Sequence, residues 1–222
     1  MSDYFHRQIQ LWGSQKQELL SKKRIAIIGC GGLGSSLGIA LGSSGIGTVH
    51  LVDFDRIETH NIHRQIAFTT EDEGEYKAEA LAKLLQRRYP DLHCITHTVD
   101  FETFAKEEIP VDLILDATDN LPVRAKIDTY AKAHHTPWIY GSVEAFNGQV
   151  CFFDKSGFSA FAINNKQPEG IAAPIVMHIA SLQANLALRH LVGLPVKKDL
   201  LYYLYFDSEG ELITQKFMMP ER

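Results

Sequence analysis

Cysteine is scarce in this chain of 222 residues, and long apolar runs are missing. The three cysteines, Cys30, Cys94 and Cys151, are odd in number and far apart, which excludes a disulfide framework and a four-cysteine zinc site. Apolar runs are far shorter than the roughly 20 residues that span a bilayer. The first residues lack the basic flank and the apolar core of a signal peptide. We therefore expect a cytoplasmic protein without a membrane partner.

No excess of positive charge is present either. Lysine and arginine number 22 against 27 aspartate and glutamate residues, and the net charge of −5 argues against a nucleic-acid partner. Hydrophobic residues make up 45% of the chain and charged residues 22%, which is the composition of an ordinary globular protein and excludes a disordered or coiled-coil chain.

Short apolar segments alternate with helical patterns over the first two thirds of the chain. They predict βαβ units, and hence an α/β, Rossmann-like, doubly wound and mostly parallel sheet. After residue 148 the pattern favours an antiparallel C-terminal extension. We expect a single domain over 1–222: an N-terminal arm over about 1–21, a nucleotide-binding core over about 22–148, and C-terminal strands, a loop, a helix and a hairpin over about 149–222. The strands are expected at 24–28, 49–52, 94–99, 111–115, 138–143, 149–153, 200–206 and 211–217, the helices at 35–44, 77–89, 123–134 and 174–191, and the loop at 159–173.

A glycine-rich loop, Gly29-x-Gly31-Gly32-x-Gly34, follows the first predicted strand and opens a helix. Glycines at such a turn let backbone N–H groups approach a phosphate, and the N-terminus of the helix adds partial positive charge. Gly38 and Gly42 continue the series, and we expect them to reflect close packing of the helix on the sheet. A tight turn with a small-residue packing face is the alternative interpretation.

Asp53 ends the next predicted strand, where the dinucleotide-binding fold places the acid that binds a ribose. Up to this point the sequence supports NAD and ATP equally, but Arg64, Lys77 and Asp119 favour ATP. The two cations could neutralise phosphate oxygens while the bond between the α- and β-phosphates breaks, and Asp119 could hold Mg²⁺ at the end of a central strand. Taken singly, Arg64 could form a surface ion pair, Lys77 could be solvated at a helix start, and Asp119 could cap the following helix.

Motifs that include these residues stand in order over roughly residues 4–193: Arg7-Gln8-Ile9, the glycine loop, Asp53-Phe54-Asp55, Asn61-x-x-Arg64-Gln65, Lys77, Asp116-x-Thr118-Asp119-Asn120 and Gly148-Gln149. The ordered set resembles the ThiF/MoeB/HesA family, the bacterial relatives of ubiquitin-activating enzymes. The resemblance implies an ATP-dependent adenylyltransferase that activates the C-terminal glycine of a small ubiquitin-like sulfur-carrier protein ending in Gly-Gly, with release of pyrophosphate. Thiamine thiazole sulfur transfer is the favoured pathway, and molybdopterin is the next.

The resemblance also implies the cofactors ATP and Mg²⁺, and a homodimer in which Arg7 of the N-terminal arm reaches the ATP of the partner. Asp53 would bind the ribose, Asn61 and the cations would surround the phosphates, and Asp119 would ligate magnesium. The implied catalytic residues are Arg7, Arg64, Lys77 and Asp119. The implied nucleotide-binding residues are Gly29, Gly31, Gly32, Gly34, Asp53, Asp55, Asn61, Arg64, Gln65 and Lys77.

The chain departs from the family in its cysteines. Most relatives carry two CxxC pairs that bind zinc, and many carry a cysteine before the last long helix; this chain has neither, so no zinc is expected. Cys94 and Cys151 are predicted in strand cores. Cys30 is predicted next to the phosphates, whose charge would raise the pKa of its thiol. Sulfur would then come from a separate persulfide donor that attacks the adenylate directly.

Three other functions are left as alternatives. The same fold could activate a small molecule, a peptide or a tRNA base; the chain could be a non-catalytic subunit that only binds the carrier; or it could be a nicotinamide oxidoreductase. Arg7, Arg64, Lys77 and Asp119 together argue against a non-catalytic subunit. A nicotinamide enzyme does not need the arginine and the lysine that follow the second strand.

Overall fold

One mixed β-sheet organises the chain, as a computed structural model shows for residues 3–161 and 170–221. Its strands are β1 Arg24–Ile28, β2 Thr48–Val52, β3 His93–His97, β4 Leu113–Asp116, β5 Trp138–Glu144, β6 Asn147–Phe153, β7 Leu200–Phe206 and β8 Leu212–Met218. The strand order in the sheet is β3-β2-β1-β4-β5-β6-β7-β8. The pairs from β3 to β5 are parallel, and the pairs from β5 to β8 are antiparallel. The predicted α/β fold with an antiparallel C-terminal extension is therefore confirmed.

The described helices are α1 His6–Trp12, α2 Ser14–Leu20, α3 Gly32–Gly42, α4 Lys77–Arg88, α5 Phe101–Lys106, α6 Leu121–Ala133 and α7 Ala173–Leu191, with short 3-10 turns at Thr59–Asn61, Thr70–Asp72 and Phe158–Ala160. Helix α3 begins inside the glycine loop and not at residue 35 as predicted. Helix α5 was not predicted, because it has only six residues. The predicted loop 159–173 falls partly outside the described residues.

Both faces of the central strands β1, β2 and β4 are covered, which explains why these strands are continuous apolar runs. Side chains of β1 alternate between two core clusters: Ile25 and Ile27 pack on one face together with α3, α4 and α7, whereas Ala26 and Ile28 pack on the other face with α5 and α6. A strand buried on both sides cannot show the apolar–polar alternation of a half-exposed strand.

Glycines in α3 bring this helix close to α4. A Cβ on Gly38 would lie 2.9 Å from Leu81 Cδ2, and a Cβ on Gly42 would lie 3.0 Å from Leu85 Cδ1. Each glycine inside a helix lowers the free energy of unfolding by about 1 kcal/mol relative to alanine. The side chains of Leu81 and Leu85 occupy the space that a Cβ would need. The expected close packing is present, but it is made against a neighbouring helix and not against the sheet.

The N-terminal arm packs on the body of its own chain. Phe5 is buried, and its ring lies edge to face with the ring of Tyr89 at a centroid distance of 5.3 Å. Tyr4 joins the same cluster, 4.9 Å from Phe5 and 5.0 Å from Tyr89. The amides of Gln8 and Gln17 both donate hydrogen bonds to the carbonyl oxygen of Ser44, at 2.8 and 3.0 Å. These contacts anchor the arm near the C-terminal end of α3.

Membrane insertion finds no support in the helices. Across residues 3–161 and 170–221, no helix combines the length and the apolar character that a bilayer-spanning segment needs.

A buried histidine pair links β2 to β3 and makes stability depend on pH. His50 Nδ1 lies 3.0 Å from His97 Nε2. Burial, reinforced by the neighbouring His97 imidazole, lowers the pKa of His50 from its ordinary 6.5 to about 4. The unfolded chain therefore binds more protons than the folded chain below pH 6.5, so folding free energy is lost as the pH falls from 6.5 towards 4.

We expect the thermal unfolding midpoint to fall over this range and to fall less steeply in His50→Gln, which cannot be protonated. Thermal scans by circular dichroism between pH 7.5 and pH 4 measure the slopes. His134→Gln is the control, because His134 is exposed and should leave the slope unchanged. Equal slopes in the wild type and His50→Gln would contradict the assignment.

Candidate active site

A cavity of about 910 Å³ lies at the C-terminal ends of β1, β2 and β4. This is the point where the chain switches from one side of β1 to the other, and open α/β sheets bind their ligands at such switch points. Most of the site residues that we predicted from the sequence line this cavity. Its lining includes Gly29, Gly31, Gly32, Asp53, Asp55, Asn61, Arg64, Gln65, Lys77 and Asp119.

Two selected residues, Gly34 and Arg7, are not in this lining. Gly34 is buried, and a Cβ there would lie only 1.9 Å from the carbonyl oxygen of Gly29, so its contribution is to let the loop close. Gly29 has a positive φ of 92°, which an L side chain rarely adopts. Arg7 lies on α1, where its Nη1 donates to Gln10 Oε1 at 3.2 Å. Within one chain, the structure does not bring Arg7 to the cavity.

Asp53 fixes the shape of the glycine loop. Its Oδ2 accepts a hydrogen bond from the backbone N–H of Cys30 at 2.6 Å, and its Oδ1 accepts one from the N–H of Asp55 at 2.8 Å. Burial raises the pKa of the Asp53 carboxyl above its ordinary value, and these two hydrogen bonds oppose the shift. Each oxygen keeps a second acceptor site, so ribose binding stays a prediction.

Lys77 is buried, so the interpretation of this residue as a solvated lysine at a helix start is wrong. Its side chain is 7% exposed, and its Nζ lies 2.9 Å from Asp55 Oδ2. The backbone N–H of Lys77 also donates to the Asp55 carbonyl at 3.0 Å. The ammonium group is therefore held at the cavity wall by a carboxylate that is itself half-exposed.

Arg64 forms no ion pair within the described parts of the chain, so the surface ion-pair interpretation is wrong. Its Nη2 donates to Asn61 Oδ1 at 3.0 Å, and its Nη1 lies 3.0 Å from His63 Nε2. The Asn61 amide oxygen is an uncharged acceptor, so it orients the guanidinium and does not compensate its charge. Next to it, Gln65 is buried, and its Oε1 has no hydrogen-bond partner among the residues the structure describes.

Asp119 does not cap helix α6, since Asn120 does so by accepting a hydrogen bond from the Val123 N–H at 3.1 Å. Within 3–161 and 170–221, the Asp119 carboxylate makes no hydrogen bond or ion pair. No group of three or more His, Cys, Asp or Glu side chains in these ranges could hold a metal alone. The single carboxylate of Asp119 fits Mg²⁺, because Mg²⁺ commonly takes one or two protein carboxylates together with phosphate oxygens and water.

Arg124 also lines the cavity, and sequence reasoning missed it. It lies within α6, and its guanidinium is buried beside Asp116, with Arg124 Nε 3.1 Å from Asp116 Oδ2. An arginine in a helix normally indicates an exposed position. The signal available in the sequence was its position as the fourth residue of α6, eight residues after Asp116.

The three cysteines are poor nucleophiles in this fold. Cys30 lies in the core, and burial, followed by the nearby Asp53 charge, raises the pKa of its thiol well above the ordinary value. The further effect expected from bound phosphates stays a prediction. Burial raises the pKa of Cys94 to about 12 and also raises that of Cys151.

A second cavity of about 520 Å³ lies near the N-terminal ends of β4 and β5, away from the first cavity. Its carboxylates are already paired with lysines: Asp112 with Lys23 at 2.9 Å, Asp128 with Lys132 at 2.8 Å, and Asp154 with Lys198 at 3.0 Å. These pairs satisfy its charges internally, so the first cavity is the candidate active site.

The doubly wound sheet, with a glycine loop and free charges at its switch point, defines a nucleotide-binding protein of the Rossmann type. A model of the ThiF family matches residues 5–221. The chain belongs to this family.

Curated relatives of this chain are adenylyltransferases. A sulfur carrier protein adenylyltransferase of Thermus thermophilus is 33% identical, covering 96% of this chain and 86% of the relative. The sulfur carrier protein ThiS adenylyltransferase of Escherichia coli is 31% identical over 84% of this chain and 78% of the relative. The molybdopterin-synthase adenylyltransferase of Escherichia coli is 30% identical over 85% of this chain and 82% of the relative. The chain is an adenylyltransferase of this family.

Solved structures agree on the fold. E. coli MccB in a structure with MccA-N7isoASN has a TM-score of 0.85 and 18% identity, covering 99% of this chain and 72% of that one. E. coli MccB with ATP has a TM-score of 0.83 and 20% identity, covering 98% and 72%. At this identity the likeness concerns the fold alone.

Proposed function

We propose that this chain uses ATP to adenylate the C-terminal glycine carboxylate of a small ubiquitin-like sulfur-carrier protein ending in Gly-Gly. The observation that carries the proposal is one cavity lined by the glycine loop in which Arg64 and Asp119 have no charged partner among the residues that the structure describes. A triphosphate with its metal ion supplies the missing opposite charges. Relatives named for the activation of sulfur carriers support the choice of acceptor.

The reaction needs alignment and charge neutralisation more than acid–base chemistry. A carboxylate oxygen of the carrier attacks the α-phosphorus of ATP, the bond from that phosphorus to the bridging oxygen of the β-phosphate breaks, and the electron pair leaves with pyrophosphate. The attacking carboxylate has a reference pKa of about 3.5, so it is ionised and needs no general base. Arg64 and Lys77 neutralise charge on the phosphates, and Gly31 and Gly32 leave room for them.

Asp119 would hold magnesium in this site, with ATP phosphate oxygens completing the coordination. A metal ion held there by Asp119 would supply positive charge to neutralise the leaving pyrophosphate. Because Asp119 is neither a helix cap nor part of an ion pair in the described residues, its carboxylate is available for this role. Asp53 keeps the glycine loop in shape and is proposed to bind the ribose.

Sulfur is proposed to reach the adenylate directly from a separate persulfide donor, with no enzyme–carrier thioester or persulfide link. A reactive cysteine needs a lowered pKa and access to the site. Cys30 and Cys151 are buried, and burial raises the pKa of all three thiols.

The carrier is proposed to belong first to thiamine thiazole formation and second to molybdopterin formation, in a cytoplasmic homodimer. Relatives named for ThiS and for molybdopterin synthase are 31% and 30% identical, so both carriers belong in the test. In the homodimer, the N-terminal arm carries Arg7 into the partner's site. The position of Arg7, exposed and outside the cavity of its own chain, is compatible with this arrangement.

We expect exchange of radiolabel from pyrophosphate into ATP only when a carrier ending in Gly-Gly is added. The matched control is the same carrier without its last glycine, which lacks the correctly placed carboxylate and should give no exchange. Exchange driven instead by free amino acids or short peptides would favour small-molecule or peptide activation. No exchange with any acceptor, or a reducible enzyme–carrier adduct on a gel, would contradict the proposal as stated.

Asp119→Ala should lower exchange by at least about 100-fold, because several kcal/mol of charge stabilisation by the metal are lost. The thermal unfolding midpoint should change little, since Asn120 still caps α6. Asn120→Ala is the opposite case: it removes the cap and should lower the midpoint while exchange persists. Near-normal exchange by Asp119→Ala would rule out the magnesium role.

Arg7→Ala and Arg64→Ala should each inactivate the enzyme, and a mixture should regain activity if the arm crosses between subunits. A mixed dimer then has one intact site, so random mixing in equal amounts gives about a quarter of the wild-type rate. The control mixes Arg64→Ala with Lys77→Ala, which lie in the same cavity and should give no regain. An arm that serves its own subunit predicts no regain in either mixture.

A further inference from the structure

Arg124 is a buried charge whose contacts join three separate parts of the candidate active site. Only 4% of the residue is exposed. Its Nε donates to Asp116 Oδ2 at the end of β4, at 3.1 Å. Its Nη2 donates to the carbonyl oxygen of Thr118 in the turn after β4 and, at 3.2 Å, to the carbonyl oxygen of Gly141 in β5. One guanidinium thus fastens the turn after β4 to the neighbouring strand.

Asp116 completes this arrangement from the other side. Its Oδ1 accepts hydrogen bonds from the backbone N–H of Thr118 at 3.0 Å and from the Thr118 hydroxyl at 2.7 Å. Asp116 is fully buried; burial raises the pKa of its carboxyl, and the Arg124 guanidinium opposes that shift. A buried ion pair is weak support for stability, because desolvation offsets the attraction between the charges. The geometry that the pair imposes is the better reason for its presence.

Asp119 lies between two residues that are held in place, one by this network and one by the cap of α6. Thr118, on one side, is held by Asp116 and Arg124, and Asn120, on the other side, is held by the N–H of Val123. Asp119 itself has no side-chain partner within the described ranges. Its position therefore depends on the backbone around it, and the side chain that reaches this backbone from α6 is Arg124.

We propose that Arg124 is a positioning residue that fixes Asp119 for its magnesium ligand role. The proposal rests on the proposed function of Asp119, and it gives Arg124 no contact with the reacting atoms. A lysine at this position would keep the positive charge beside Asp116. It lacks the planar fork that reaches a carboxylate and two carbonyl oxygens in different directions, so it cannot replace the arginine.

The test compares Arg124→Lys with the wild type in the binding of a non-cleavable ATP analogue, with and without Mg²⁺ and without carrier. Residues that orient a metal ligand typically affect metal affinity by about 10- to 100-fold. We therefore expect Mg²⁺ to increase the affinity of the wild type for the analogue. In Arg124→Lys this increase should be smaller by a factor of at least about 10. The metal-free affinity should stay within about threefold, because the glycine loop is untouched.

Arg189→Lys is the matched control. Arg189 donates from Nε and Nη2 to the carbonyl oxygen of Pro195, at 3.1 and 2.9 Å, and lies outside the cavity lining. It should leave both affinities unchanged. In exchange assays with Mg²⁺, Arg124→Lys should lower kcat by about 100-fold, as displaced catalytic groups do, and the KM for ATP should rise by about as much as the affinity for the analogue falls in Mg²⁺.

Asp119→Asn, measured in parallel, separates the possible failures. If it abolishes the effect of Mg²⁺ while Arg124→Lys does not, the proposal for Arg124 is overturned and the role of Asp119 stands. A lower thermal midpoint in Arg124→Lys with wild-type Mg²⁺ dependence would assign Arg124 a purely structural role and overturn the proposal as well. Failure of the wild type to catalyse exchange would count against the proposed function, whereas the binding comparison would still decide on Arg124.

Discussion

Backbone contact between the loop after β1 and the turn after β4 is the constraint on which the candidate site depends. A Cβ on Gly29 would lie 2.8 Å from the carbonyl oxygen of Ala117, and a Cβ on Gly34 would lie 1.9 Å from the carbonyl oxygen of Gly29. Only residues without a side chain permit this approach. Because the two segments touch, the glycine loop and Asp119 open into one cavity. The charges of Arg64 and Asp119, which have no charged partner in the part of the chain that the structure describes, then face a common space, where the proposed nucleotide and metal ion would lie.

Much of the fold could be predicted because its signals are local. The apolar runs of β1, β2 and β4 and the turn residues between them were sufficient to identify a doubly wound sheet. Helix α5 escaped because six residues give no periodicity, and its main signal is the single cap Asp100, whose side chain accepts the Thr103 N–H at 2.8 Å. The packing partner of Gly38 could not be predicted either, since contact with Leu81 depends on how two helices cross.

The site shows where local reasoning fails. Most selected residues do line one cavity, because the carboxyl ends of parallel strands meet at one edge of the sheet. Whether Asp119 or Asn120 caps α6 depends on backbone angles that two neighbouring polar residues do not specify. Arg124 was missed because its burial is created by β5, which follows it in the chain. The role proposed for Arg7 requires a homodimer, which a single chain does not contain.

The pairing of β1 with β4 also has a consequence for how the protein forms. Ile25 pairs with Leu113, so the central strand acquires its second neighbour only after more than half of the chain has been synthesised. Contacts so distant in sequence slow folding, because the entropy of closing the intervening loop must be offset first. During synthesis one edge of β1 therefore stays unpaired until β4 is made, and an unpaired strand edge is open to mispairing and to chaperone binding.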